Sequence, residues 1–127
     1  MESYKTAKDI ASETLFYIDG LATVKEAIDL MKEKKVDYLF IKKRNDQDAN
    51  GIIVISDIIR GVVVKDLKAE DVNVYEIMTK PALSIPASLN SKYASRLLLN
   101  SKINVAPVEE NGNYIGVIHL RDIVANY

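Results

Sequence analysis

The chain repeats itself, and that repetition limits its possible folds more than any other property of the sequence. Val36-Asp37-Tyr38-Leu39-Phe40-Ile41 aligns with Ile103-Asn104-Val105-Ala106-Pro107-Val108 at an offset of 67 residues. The same offset carries Ile10 onto Ile77, Ile18 onto Ile85, Ala27 onto Ala94 and Leu30-Met31 onto Leu97-Leu98. Beyond the next turn the offset becomes 65, carrying Gly51 onto Gly116 and Asp57 onto Asp122, so the first turn is two residues longer. Two copies follow, residues 8–64 and 75–127, joined by a charged linker over 65–74. A chain of 127 residues has the length of about one domain. Each copy is then a half-domain of roughly 55 residues, too small to be comfortable alone.

Both copies carry the same coarse pattern. A short extended segment (Leu15 to Ile18; Ala82 to Ile85) leads into an amphipathic helix. In the first copy Val24, Ala27, Ile28 and Met31 have the i, i+3, i+4, i+7 spacing of one helix face, and Thr23 with Glu26 reads as a capping box. Ala94, Leu97 and Leu98 repeat that face. Two β-like runs follow in each copy, Asp37–Lys42 with Gly51–Ile55, and Asn104–Val108 with Tyr114–Ile118. Asn111-Gly112 is a strong hairpin signal. A second helix begins near Ser56 and near His119. The unit is β-α-β-β-α, twice, a mixed α/β (α+β) architecture of small sheets covered by helices. In the first copy Ile58, Ile59, Val62, Val63 and Val64 make the second helix apolar on more than one face, which calls for a partner. That partner is the other copy on one side and a second chain on the other; the alternative is a helix buried between the two copies of a monomer. The β-branched Val62-Val63-Val64 also favours a strand.

Composition removes much chemistry. With no cysteine there is no disulfide, thiolate zinc site or Cys nucleophile, and with one histidine no two-His metal site forms within a chain. A net charge of −1 leaves no global field for nucleic acid or an acidic membrane. The stretch from Gly51 to Val64 is broken by Ser56, Asp57 and Arg60, short of the roughly 18 apolar residues of a membrane span. The polar start, Met1 to Lys5, lacks the apolar core of a signal peptide, and a cysteine-free chain suits the cytoplasm. No Gly-rich phosphate motif is present, no carboxylate pair is singled out by spacing, and the expectation is a protein that is not an enzyme.

Gly51-Ile52-Ile53-Val54-Ile55-Ser56-Asp57-Ile58-Ile59 and Gly116-Val117-Ile118-His119-Leu120-Arg121-Asp122-Ile123-Val124 share one order: glycine, an apolar strand, then Asp and an apolar helix. With Ile77-Met78-Thr79-Lys80 upstream and Asn104-Val105-Ala106-Pro107-Val108 as a central strand, the chain resembles a tandem pair of CBS domains (the regulatory domain named after cystathionine β-synthase). The resemblance implies a pseudo-twofold pair with clefts between the copies that take an adenosyl ligand such as AMP, ADP, ATP or S-adenosylmethionine. No obligatory cofactor is implied.

The motif's chemistry fits such a ligand. A carboxylate can accept from both hydroxyls of a ribose diol, the first turn of a helix attracts phosphate, and apolar strands wall the adenine. The candidate residues are Ile55, Ser56 and Asp57 in the first copy, and Val105, Pro107, His119, Leu120, Arg121 and Asp122 in the second. The family's Thr or Ser is replaced by Val54, which cannot donate, and by His119, which can; Arg121 adds a cation. An asymmetric pair with the better site at Asp122 is expected. Other readings stand beside it: the two Asp residues as helix caps, His119 as a surface histidine at a helix start, Arg121 as a solvated or ion-paired side chain.

Asp46-Gln47-Asp48-Ala49-Asn50-Gly51 fits the opening of an EF-hand loop, but its flanks read as strands and its twelfth position is Asp57, so a polar hairpin turn accounts for it. Lys42-Lys43-Arg44 reads as a solvated basic run at a strand end. The expected function is ligand sensing by a homodimer that signals to a separate effector protein, since the 127 residues hold no effector domain. The alternative is an interaction scaffold whose clefts have lost nucleotide binding.

Overall fold

Helix faces and apolar strand runs become the same element order in both copies. The structure is a computed structural model that describes residues 5–127; residues 1–4, which carry most of the polar start, lie outside the described residues. A single turn, α1 (Ala7–Ile10), precedes β1 (Tyr17–Ile18), α2 (Val24–Lys34), β2 (Tyr38–Ile41), β3 (Gly51–Val54) and α3 (Ile55–Ile58). A π-helical turn, Ile59–Val63, extends α3, and a 3-10 turn, Ala69–Asp71, follows. Then come α4 (Val74–Ile77), β4 (Ile85–Pro86), α5 (Ser91–Asn100), β5 (Val105–Glu110), β6 (Asn113–His119) and α6 (Leu120–Ala125).

Local chemistry explains the boundaries. Thr23 Oγ1 accepts from the Glu26 N–H at 3.1 Å while Glu26 accepts from the Thr23 N–H at 3.4 Å, the capping box that starts α2. The helix buries Val24, Ala27 and Met31 and ends at Lys35 in the left-handed region. Asn90 caps α5, which buries Ala94 and Leu98. Each sheet has three strands: the first pair is parallel and the second antiparallel. Asn111 and Gly112 both have positive φ, at 53° and 81°, and join β5 to β6 by a two-residue turn.

The chain divides into two compact units, Phe16–Ala82 and the remainder, which combines the segment ending at Leu15 with Leu83–Tyr127. Each unit therefore contains the opening segment of the other copy. Thr79 exchanges two backbone hydrogen bonds with Ile52, at 2.8 and 2.9 Å, and Ser12 does the same with Val117, at 2.9 and 2.8 Å. These bridges are equivalent under the sequence offsets. Val74 of α4 packs in the core with Val24, Leu39 and Ile53, and Ala7 and Ile10 of α1 pack with Leu98, Ala106 and Ile118.

The motif glycines serve this exchange. A Cβ at Gly116 would lie 2.7 Å from the Ser12 carbonyl oxygen and 3.0 Å from Ala11 Cβ; at Gly51 it would lie 3.0 Å from Met78 Sδ and 3.2 Å from the Thr79 oxygen. The apolar helix of the first copy is buried on one face only. Ile58 and Val62 enter the core, whereas Ile55, Ile59, Val63 and Val64 are exposed. Its β-branched run ends as a π-helical turn and not as a strand.

Gly116→Ala should destabilise the protein by about 1–3 kcal/mol, since the methyl meets backbone that cannot swing away. Urea unfolding followed by circular dichroism would read this as a lower midpoint, and an unchanged midpoint would contradict the close approach.

Candidate functional site

In both units the strand preceding the motif Asp ends in the same hydrogen bond. The Val54 N–H donates to Asp57 Oδ2 at 3.0 Å, and the His119 N–H donates to Asp122 Oδ2 at 3.3 Å. Each Asp sits three residues after the N-cap, so its carboxylate satisfies a backbone donor that the helix leaves unpaired. Both carboxylates thus make a capping hydrogen bond. Register completes the likeness: Tyr38 pairs with Val54, and Val105 with His119.

The side chains around the two carboxylates differ. Asp57 is only 5% exposed in its side chain, and its Oδ1 takes Arg60 Nη2 at 3.1 Å and Thr79 Oγ1 at 3.5 Å. Both oxygens are engaged. At the equivalent places around Asp122 stand Ala125 and Ser12, and the Ser12 hydroxyl instead meets Thr14 Oγ1 at 2.9 Å. The Asp122 side chain is 29% exposed, and its Oδ1 takes no hydrogen bond among the described residues. His119 Nδ1 lies 3.6 Å from Asp122 Oδ2, an electrostatic contact and not a hydrogen bond.

His119, Asp122 and Val105 are thus brought together at one end of the second sheet. His119 is buried, which corrects the reading of a surface histidine: it ends β6 opposite buried Val105, and the sheet covers it. Pro107 is buried further along β5, paired with Val117. Leu120 is half-buried against the core, and its N–H donates to the Asn104 carbonyl at 3.0 Å. Arg121 is exposed and makes no ion pair among the described residues, which is the solvated reading. In the other unit Ser56 and Ile55 are exposed on α3 beside buried Asp57. Sequence reasoning missed Arg60 and Thr79 as partners of Asp57. The i, i+3 spacing from Asp57 to Arg60 is a legible signal, whereas Thr79 reaches Asp57 only through the segment exchange.

A family model for the CBS domain matches residues 7–64 and 74–127. The chain belongs to the CBS-domain family. Among solved structures it resembles the hexameric CBS-CP12 protein from bloom-forming cyanobacteria, with 35% identity and a TM-score of 0.89, covering 94% of this chain and 69% of that one. An uncharacterized conserved protein from Pyrococcus horikoshii matches with 27% identity and a TM-score of 0.87 over 99% of this chain and 94% of the other. The mitochondrial CBS domain-containing protein CBSX3 of Arabidopsis thaliana is 29% identical over 105 residues, 80% of this chain and 51% of that protein. The chain spans about half the length of the curated relatives it matches. The tandem pair and the mixed α/β fold read from the repeat are those of this CBS-domain chain.

Asp57→Ala should cost about 1–3 kcal/mol, because it leaves the half-buried Val54 N–H without its acceptor, and Asp122→Ala should cost less. Chemical denaturation of the two variants compares them directly; equal losses would contradict the different engagement of the two carboxylates.

Proposed function

We propose that the chain is a non-catalytic regulatory module that binds an adenosyl ligand (AMP, ADP, ATP or S-adenosylmethionine) at Asp122 and signals to a partner protein. One observation carries this reading. Asp122 keeps an oxygen without a hydrogen bond and a side chain 29% exposed, at the end of a strand pair walled by apolar residues. An unoccupied carboxylate oxygen beside an apolar wall can accept from ribose hydroxyls while the strands cover a base. His119 places a ring nitrogen 3.6 Å from the same carboxylate. Asp57 is less suited, since its oxygens already hold Val54, Arg60 and Thr79. The ligand acts by binding one conformation better than another. The proposal includes a cytoplasmic location. Among the described residues no helix is long and apolar enough to cross a membrane.

Thermal unfolding with AMP, ADP, ATP, S-adenosylmethionine and NADH, each at millimolar excess, tests this. A ligand at about 100 times its dissociation constant adds about 2.7 kcal/mol and raises the midpoint visibly. Asp122→Ala should abolish the shift, and Asp57→Ala should leave most of it. No shift with any of the five would overturn the reading, and the reverse pattern would overturn the asymmetry.

A second reading, an oligomeric interaction scaffold, is favoured by the bare apolar face of α3 and its π-helical extension. Ile59, Val63 and Val64 are 44%, 54% and 72% exposed, more apolar surface in one place than isolated residues give. In either reading this face associates two copies into a homodimer. The CBS-CP12 protein that this chain resembles is hexameric, which supports the association. Light scattering at micromolar concentration should give a dimer or larger species, and Val63→Glu with Val64→Glu should return it to monomer. A monomeric natural sequence would refute the interface.

A further inference from the structure

Within the Phe16–Ala82 unit lies a cavity of about 610 Å³, at the opposite end of β2 from Asp57. Tyr38, at the Asp57 end, pairs with Val54, whereas Ile41, at the cavity end, pairs with Gly51. Three residues of strand separate these ends by about 10 Å, so the cavity is not the site of the motif Asp. Its volume falls in the range of about 300–1,000 Å³ of small-molecule sites.

The lining combines an apolar wall with cations. Leu21, Ile41, Met78 and the half-exposed ring of Tyr75 form the wall. Lys42, Lys43, Arg44 and Lys80 surround it, against the carboxylates of Asp19 and Asp48. Asp19 Oδ1 accepts from the Leu21 N–H at 2.8 Å. Asp48, 9% exposed in its side chain, accepts from the Arg44 N–H at 3.0 Å and Nε at 3.2 Å and pairs with Lys80. Lys80 and the Arg44 N–H hold the Asp48 carboxyl well below the usual carboxylate range, so this carboxylate stays ionised at neutral pH and pairs with two of the cations. Lys42 and Lys43 make no ion pair among the described residues. Lys42 and Lys43 of the basic run are therefore solvated, Arg44 is paired, and all three line the cavity.

The repeat shows that this arrangement is not demanded by the fold. At the offset of 67, Lys42, Lys43, Lys80 and Tyr75 correspond to Glu109, Glu110, Glu13 and Lys8. Lysines face glutamates at three equivalent places. Lys8 there reaches Glu110 at 3.2 Å, an ion pair where the first sheet has Tyr75 and Lys43. Asp48 stands in the stretch that makes the first turn longer, so the element that anchors Lys80 and Arg44 has no counterpart.

We propose that this cavity binds a small organic phosphate whose flat ring lies against Tyr75 and whose phosphate oxygens are held by Lys42 and Lys43. Lysine ammonium groups suit phosphate as point charges, and a half-exposed tyrosine face offers apolar area at little entropic cost. The site is separate from Asp122 and does not depend on ligand binding there.

The test uses the full chain carrying Asp122→Ala, with backbone amide NMR and four probes: ATP, AMP, adenosine and tripolyphosphate. ATP should move the Gly20, Leu21, Lys42 and Lys43 amides in a saturable way. Lys42→Ala with Lys43→Ala should weaken that binding about tenfold or more, a loss of about 1.4 kcal/mol. These side chains are exposed and unpaired, so the fold should survive; the unmoved remainder of the spectrum reports it. Tyr75→Ala should remove ATP's advantage over tripolyphosphate. Unmoved amides at millimolar ATP would overturn the proposal, as would shifts that survive the double lysine variant. Tripolyphosphate binding as tightly as ATP would reduce the site to bare charge attraction and overturn the assignment of Tyr75. Salt-dependent self-association without saturable shifts would assign the lysines to the glutamates of another copy and overturn it as well.

Discussion

Four backbone hydrogen bonds, two between Ser12 and Val117 and two between Thr79 and Ile52, are the constraint on which the remaining structure depends. Each adds an opening segment to the last strand of the other copy's sheet. The single-turn helices α1 and α4, four residues each, cannot persist unsupported, because helix nucleation costs more than one turn returns. Docked, they add Ala7 and Ile10, or Val74 and Ile77, to the core that each sheet forms with its own helices. The glycines at 51 and 116 follow from this, since both lie where the exchanged backbone crosses.

The exchange also gives the two halves different chemistry. Thr79 arrives beside Asp57 and helps to engage its carboxylate, while Ser12, its equivalent, bonds to Thr14 and leaves Asp122 alone. Arg60 against Ala125 widens the gap. An almost symmetrical backbone therefore holds one buried, satisfied carboxylate and one with an oxygen to spare. The same principle operates at the far ends of the sheets, where lysines on one side correspond to glutamates on the other.

Much of the fold is legible in the sequence, because helix faces and short apolar strand runs are local patterns. Thr23 and Glu26 announce the start of α2, and Asn111-Gly112 announces the β5–β6 turn, through chemistry confined to a few residues. The pairing of the motif Asp with the N–H three residues earlier is equally local. His119 was less legible: a histidine at a helix N-terminus reads as exposed until the register opposite Val105 covers it. The second helix of the first copy is apolar on more than one face in the sequence, but only the structure shows which face enters the core, that of Ile58 and Val62, and which stays exposed, that of Ile59, Val63 and Val64.

The offset and the apolar periodicity alone dictate two β-α-β-β-α copies, their strands and helices, and the paired Asp motifs, because each of these follows from neighbours in the chain. Which opening segment covers which sheet, which carboxylate keeps an oxygen open, and where Lys80 meets Asp48 were decided only in three dimensions. These depend on groups tens of residues apart, and no local preference distinguishes an opening segment that packs on its own copy from one that packs on the other.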